Sequence, residues 1–160
     1  MRSIIIFLLL STISHSASAE TIYGRTFDYK KAKPASVYFT GKTREQIELY
    51  CKNDRLGGFD LAACAHFEFE IAIDSLNKRV SIATREIEKN DKALRSEGEP
   101  EALPYFRKAQ AHWEIYRDSY CYAEVYETGP ASSRFIEFWD CMTRITRNRL
   151  HELAKANTDE

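Results

Sequence analysis

The sequence has no C-x-x-C pair, no H-E-x-x-H signature and no G-x-S-x-G elbow, and its four histidines are scattered. These absences remove clustered-cysteine metal sites, helix-borne zinc hydrolysis and serine-hydrolase chemistry. Charge of one sign is also missing: 23 basic residues stand against 24 acidic ones, a formal net charge of -1. A nucleic-acid partner would need a basic footprint, so none is expected. No apolar run reaches the roughly 20 residues that cross a bilayer. Repeats and low-complexity segments are absent.

What is present begins with a leader. Met1-Arg2 gives a positive charge, Ile4 to Leu10 is unbroken apolar sequence, and Ala17-Ser18-Ala19 is an A-x-A cleavage site. Residues 1–19 therefore read as a secretory signal peptide, too short in its apolar run to anchor a membrane. Cleavage after Ala19 leaves about 140 residues, one domain able to bury a core without a metal. A periplasmic or secreted location is expected. The slightly acidic balance leans towards a basic partner.

All four cysteines, Cys51, Cys64, Cys121 and Cys141, fall after the leader. An even count in an exported chain predicts two disulfides, each stabilising by about 2–4 kcal/mol.

Residues 20–42 carry Tyr23, Phe27, Tyr29, Tyr38 and Phe39 among lysines and read as an extended lead-in without regular structure. Thr43-Arg-Glu-Gln46 is a capping-box pattern that opens a short helix ending near Lys52. Gly57-Gly58 breaks the chain, and Asp60 is placed to cap the next helix. From Leu61 to about Arg95, Phe69, Ile73, Leu76, Val80, Ala83, Ile87 and Leu94 mark a helical seam, about 50 Å long. Gly98 and Pro100 end it.

A second helix starts around Glu101 to Pro104, with Leu103, Phe106, Ala109, Trp113, Tyr116, Tyr120 and Ala123 as its inner face. Thr128 to Ser133 is a turn, with Ser132 or Ser133 capping a third helix marked by Phe135, Phe138, Met142, Ile145, Arg149 and Leu153. The fold class is all-α: an antiparallel three-helix bundle over residues 43–156, with the short extra helix at its N-terminal end. Cys121 and Cys141 then share one end of the bundle with Cys51 and Cys64. This favours Cys51–Cys64 with Cys121–Cys141, although Cys64 also lies within reach of the second pair.

Two segments go beyond periodicity. Gln110, Trp113, Tyr116, Arg117, Asp118 and Cys121 spell Q-x-x-W-x-x-Y-R-D-x-x-C, and Cys141, Thr146, Arg149 and Leu153 spell C-x4-T-x2-R-x3-L. Over roughly residues 60–155 the chain resembles the LprI-like family, small exported bacterial domains named after a lysozyme inhibitor. Leu76-Asn77 matches the family's L-N pair, and Cys64 its earlier cysteine. Val80 stands where an aromatic residue is usual, and the acidic residue before the pair is displaced to Asp74. Residues 20–50 have no counterpart in the pattern.

The resemblance implies a helical exported domain and, from the family's namesake, lysozyme inhibition. Fold transfers between relatives more safely than activity.

The polar motif residues Asn77, Gln110, Arg117, Asp118, Thr146 and Arg149 sit on or beside helical seams. Buried polar groups there must find partners, which predicts a network between helices that includes the Tyr116 hydroxyl, with Trp113 as a core anchor. The other reading has Arg117 or Arg149 facing a cleft and gripping a ligand. His66 and Glu70 share a helical face, but two ligands do not make a metal site. No catalytic residue, cofactor or metal is expected.

The function expected is therefore binding: an exported protein that blocks the substrate cleft of a lysozyme-type muramidase. Tyr126, Glu127 and Arg134, around the Gly129-Pro130 bend, are the contact candidates, and the acidic turn at Glu97, Glu99 and Glu101 is the alternative. An immunity protein against a delivered toxin, or a structural or stress-related envelope protein, would carry the same features.

Overall fold

The computed structural model describes residues 28–129 and 133–155. The expected signal peptide at 1–19 lies outside them, as do residues 20–27 of the lead-in, Pro130 to Ser132 and the tail from Ala156. The chain divides into two units at Lys31. In the first, Tyr29–Lys31 form a 3-10 turn in which Asp28 accepts the Lys30 N–H at 3.0 Å. The α-helices of the described residues lie in the second unit, from Ala32 onward.

The described residues are all helical in their regular structure. Five α-helices run in order: α1 (Ala35–Tyr38), α2 (Arg44–Tyr50), α3 (Gly58–Leu94), α4 (Leu103–Thr128) and α5 (Arg134–Lys155). No helix among the described residues is long and apolar enough to cross a membrane.

The lead-in differs from expectation, because Ala35–Tyr38 is helical rather than extended. Four residues carry no readable period. They are held by packing, with Ala35 and Phe39 buried in a cluster with Ile47, Cys64 and Phe67. Glu70 on α3 accepts the Ala35 N–H at 2.9 Å, so α1 is tied to the long helix at its first residue.

Thr43 caps α2 as its pattern predicts: its hydroxyl accepts the Gln46 N–H, and the Gln46 side chain accepts the Thr43 N–H. Helix α3 starts three residues earlier than the expected Leu61. Asp60 lies inside the first turn, where its carboxylate accepts the Gly57 N–H at 3.1 Å. Its other oxygen accepts the Tyr38 hydroxyl at 2.6 Å and the Tyr50 hydroxyl, which joins α1, α2 and α3 at one point. The two hydroxyls hold the Asp60 carboxyl below the usual range, and the bond to Asp60 pushes Tyr50 up to about 12.

Helix α3 runs straight into a 3-10 turn at Arg95–Glu97 and stops at Gly98, whose φ of 81° suits a residue without Cβ. Helix α4 carries Pro104 in its first turn, where a missing N–H breaks no bond. Its free N-terminal amides are met from α3: the buried Asp91 carboxylate accepts the Ala102 and Leu103 N–H groups, each at 2.9 Å.

Helix α5 packs along both α3 and α4. Arg147 pairs with Glu68, and Arg79 donates to the Leu153 carbonyl from two nitrogens at 3.0 and 2.9 Å, so α3 and α5 run the same way. Gln110 meets Arg149 and Cys121 meets Cys141, so α4 runs against α5. The core between them is filled by Leu76, Val125, Phe138 and Met142, none more than 1% exposed.

Candidate functional site

Two disulfides close the structure, Cys51–Cys64 and Cys121–Cys141. The first ties the end of α2 to the second turn of α3, and the second bolts α4 to α5. Beyond the second, α4 ends at Gly129, whose φ of 73° turns the chain out of the helix. The turn is pinned from both sides. The Thr128 hydroxyl donates to Glu137 at 2.9 Å, and the Ser133 hydroxyl donates to the other Glu137 oxygen at 2.7 Å. Arg134 donates to the Gly129 carbonyl at 3.3 Å. Two shallow depressions, of about 410 and 430 Å³, open beside the disulfides and share Glu68 and Asp140 in their walls.

Further along α4 lies the polar centre of the structure. Arg117 is 2% exposed, and its guanidinium bonds Asp118 at 3.0 and 2.7 Å. The same cation stands 5.0 Å from the Trp113 ring and 5.6 Å from that of Phe69, so two aromatic faces replace its water. Gln110 accepts two N–H groups from Arg149, one at 2.7 Å, and Arg149 also pairs with Glu152 at 2.8 Å. Thr146 is fully buried between the helices, and its hydroxyl has no hydrogen-bond partner among the described residues.

The family model described as Lysozyme inhibitor LprI matches residues 51–153, well over half of the chain. The chain belongs to this LprI family. No curated protein and no solved structure matches it. The match runs from Cys51 to Leu153 and so takes in both disulfides and every motif residue; α1 and α2 lie outside it.

The LprI motif residues divide by location. Gln110, Trp113, Arg117, Asp118, Thr146 and Arg149 are buried or half-buried along the contacts of α4 and α5. Asn77 is exposed beside the buried Leu76. Tyr116 is 55% exposed and joins no network between helices among the described residues; its ring packs on Tyr120, with centroids 5.8 Å apart.

The inner face of α4 is therefore rotated from the expected one. Arg117, Cys121 and Val125 are buried, whereas Tyr116, Tyr120, Ala109 and Ala123 face out. Arg117 occupies the inner position because its charge is met locally and its plane is covered by rings. Of the contact candidates, Tyr126 and Glu127 are exposed on the last turn of α4, and Arg134 is half-buried as a brace across the turn. The acidic residues Glu97, Glu99 and Glu101 are exposed at the far end of α4, where Glu101 pairs with Arg95.

Sequence reasoning missed three groups that organise the LprI domain here: Asp91, Arg79 and the stack of His66 on Trp139. The His66 and Trp139 rings lie 3.8 Å apart at 12°, and His66 Nε2 is 3.5 Å from Glu70. Burial pushes the imidazole down to about 4. An unfolded histidine titrates near 6.5, so between these values the unfolded chain binds a proton that the folded one refuses. Stability is therefore full above about pH 6.5 and falls towards pH 4, by about 3 kcal/mol from this group.

Glu70 acts with the opposite sign, because burial raises its carboxyl and the folded state takes that proton first. Urea titrations from pH 7 to 4 are expected to show the loss in the native protein and a flatter profile in His66→Phe, which keeps a stacked ring. Equal slopes in the two proteins would rule out His66 as the source.

Proposed function

We propose that this LprI-family chain is an exported inhibitor that binds a lysozyme-type muramidase and occupies its substrate cleft, adding no chemistry of its own. The observation that carries this reading is the pinned turn at the disulfide-bolted end of α4 and α5, on a chain of an inhibitor family. A loop whose ends are already fixed loses little freedom on binding, which favours affinity. Tyr126 and Glu127 are the contacting side chains in this reading, and Arg134 holds the turn in shape. Two disulfides fit an oxidising compartment such as the periplasm or the exterior.

The test is inhibition of cell-wall lysis by equimolar purified protein, measured against several lysozyme types. Tyr126→Ala and Glu127→Ala should fold normally, since exposed substitutions change stability by about 0.5 kcal/mol or less. A hot spot of about 2 kcal/mol corresponds to roughly 30-fold, so each is expected to weaken inhibition by more than tenfold. Neutralising Glu97, Glu99 and Glu101 should change mainly the association rate and its salt dependence. Unchanged lysis with every lysozyme would overturn the reading. Loss of inhibition in the acidic-turn variant alone would move the contact to the other end of α4.

A further inference from the structure

Helices α3 and α5 run the same way, and each offers one stripe of residues to the surface seam between them. Leu61, Ala65 and Glu68 follow at spacings of four and three on α3, and Ile136, Asp140 and Thr143 repeat those spacings on α5. These six residues line the two depressions beside the disulfides, which share Glu68 and Asp140 and so form one groove. Its character changes along its length. Leu61, Ile136 and the Cys51–Cys64 disulfide make one end apolar, whereas Glu68, Asp140 and Thr143 make the other polar. From Ile136 to Thr143 the helix rises about 10 Å.

Two groups at the polar end are left over. Asp140 is open to solvent and makes neither a hydrogen bond nor an ion pair among the described residues. The groove walls desolvate its carboxyl and push it up, against the pull of Arg147 and with reinforcement from Glu137. Thr143 is 5% exposed, and its hydroxyl has no hydrogen-bond partner among the described residues, a costly state for a buried polar group. The arginines of the groove are engaged elsewhere, Arg144 on Glu124 and Arg147 on Glu68. Lys52, exposed at the rim, pairs with none of these carboxylates. A carboxylate and a hydroxyl that both lack a donor, at the end of an apolar channel, suit a cation with several N–H bonds on an apolar stem.

We propose that this groove receives a lysine side chain of a protein partner, with its methylene stem along Leu61, Ala65 and Ile136 and its ammonium between Asp140 and Thr143. Lysine carries three N–H donors on a four-carbon stem that buries along apolar surface while the head stays polar. An anionic ligand would meet Glu48, Glu68 and Asp140 and be repelled. A hydrated metal ion would leave the apolar end unused, and no three ligating side chains come together among the described residues to hold one. Glu137, which pins the turn at the end of α4, also borders the groove. Binding in the groove is nevertheless separate from inhibition, because a short peptide reads it with no muramidase present.

Nitrogen–proton NMR spectra of the disulfide-bonded protein, titrated at low salt with acetyl-Gly-Lys-Gly-amide from about 1 to 50 mM, test the proposal. Saturable shifts are expected at the amides of Leu61, Ala65, Ile136, Asp140 and Thr143. The same peptide with norleucine in place of lysine keeps the stem without the charge, and should bind about fivefold more weakly or worse. Asp140→Asn, checked for folding by circular dichroism, should weaken the lysine peptide by a similar factor. Thr143→Val should weaken it too, in a protein at least as stable as the native one, since the unpartnered hydroxyl is gone. Lys52→Gln should tighten it by removing a like charge from the rim. No saturable shift at these amides, equal binding of the norleucine peptide, or full binding by Asp140→Asn would overturn the proposal. Full binding by Thr143→Val would overturn the placement of the ammonium at Thr143.

Discussion

Reducing both disulfides is expected to destabilise the protein by about 6 kcal/mol, enough to unfold much of it at room temperature. The two bonds close loops with sequence separations of 13 and 20 residues. The chain-entropy relation assigns each about 3 kcal/mol. A domain of this size has a total stability of roughly 5–15 kcal/mol, so the sum is a large share of it. The two should not reduce together. Cys121 and Cys141 are 0% and 2% exposed at the centre of the α4–α5 contact, whereas Cys51 is only half-buried at the end of α2.

Thiol exchange needs access to sulfur, so Cys51–Cys64 should open first under mild reductant. Alkylation followed by mass spectrometry should find no label before reduction, then Cys51 and Cys64 labelled ahead of the other pair. Urea midpoints measured at each stage would give the two contributions. A fully reduced protein with an unchanged midpoint would show that packing alone holds the helices.

Local patterns were legible in the sequence because their partners lie within a turn. The Thr43 capping box, the stop at Gly98 and the proline in the first turn of α4 are all of this kind. The favoured cysteine pairing was legible as well, since helix lengths place Cys121 opposite Cys141 once the turn is read. Groups whose partners are distant backbone atoms were not legible. Arg79 meets a carbonyl 74 residues away, and nothing in its neighbourhood announces that. Asp91 looks like a solvated helix residue until α4 returns to place two amides on it.

The rotation of α4 has a different origin. Aromatic residues at helical spacing and an arginine one position on suggest an apolar seam with a charge at its edge. The fold reverses this, since Asp118, Trp113 and Phe69 together make the arginine the inner residue and leave Tyr116 outside. At the candidate site, the end of α4 at Gly129 was readable, but the bonds of Arg134 and Glu137 to Gly129 and Thr128 were not.

Arg117→Ala is expected to be about 3 kcal/mol less stable than the native protein, near the lower end of the range for breaking a buried ion pair. The arginine side chain is 3% exposed and its partner Asp118 is 19% exposed. Truncation therefore leaves a carboxylate with partial access to water, which lowers the penalty relative to a fully sealed charge. It also removes the plane that Trp113 and Phe69 cover, opening a cavity between α3 and α4. For a domain of this length 1 kcal/mol moves the midpoint by roughly 3–5 °C, so a drop of about 10–15 °C should be seen.

Arg117→Met separates the two causes. It restores most of the volume but still strands Asp118, and adding Asp118→Asn should then recover stability towards the native value. Inhibition by the folded fraction should be unchanged in all three proteins, because Arg117 lies inside the helix contacts and away from the turn. A variant that keeps its melting temperature and loses target binding would place Arg117 at the interface instead, and its burial against two aromatic rings would then describe only the unbound protein.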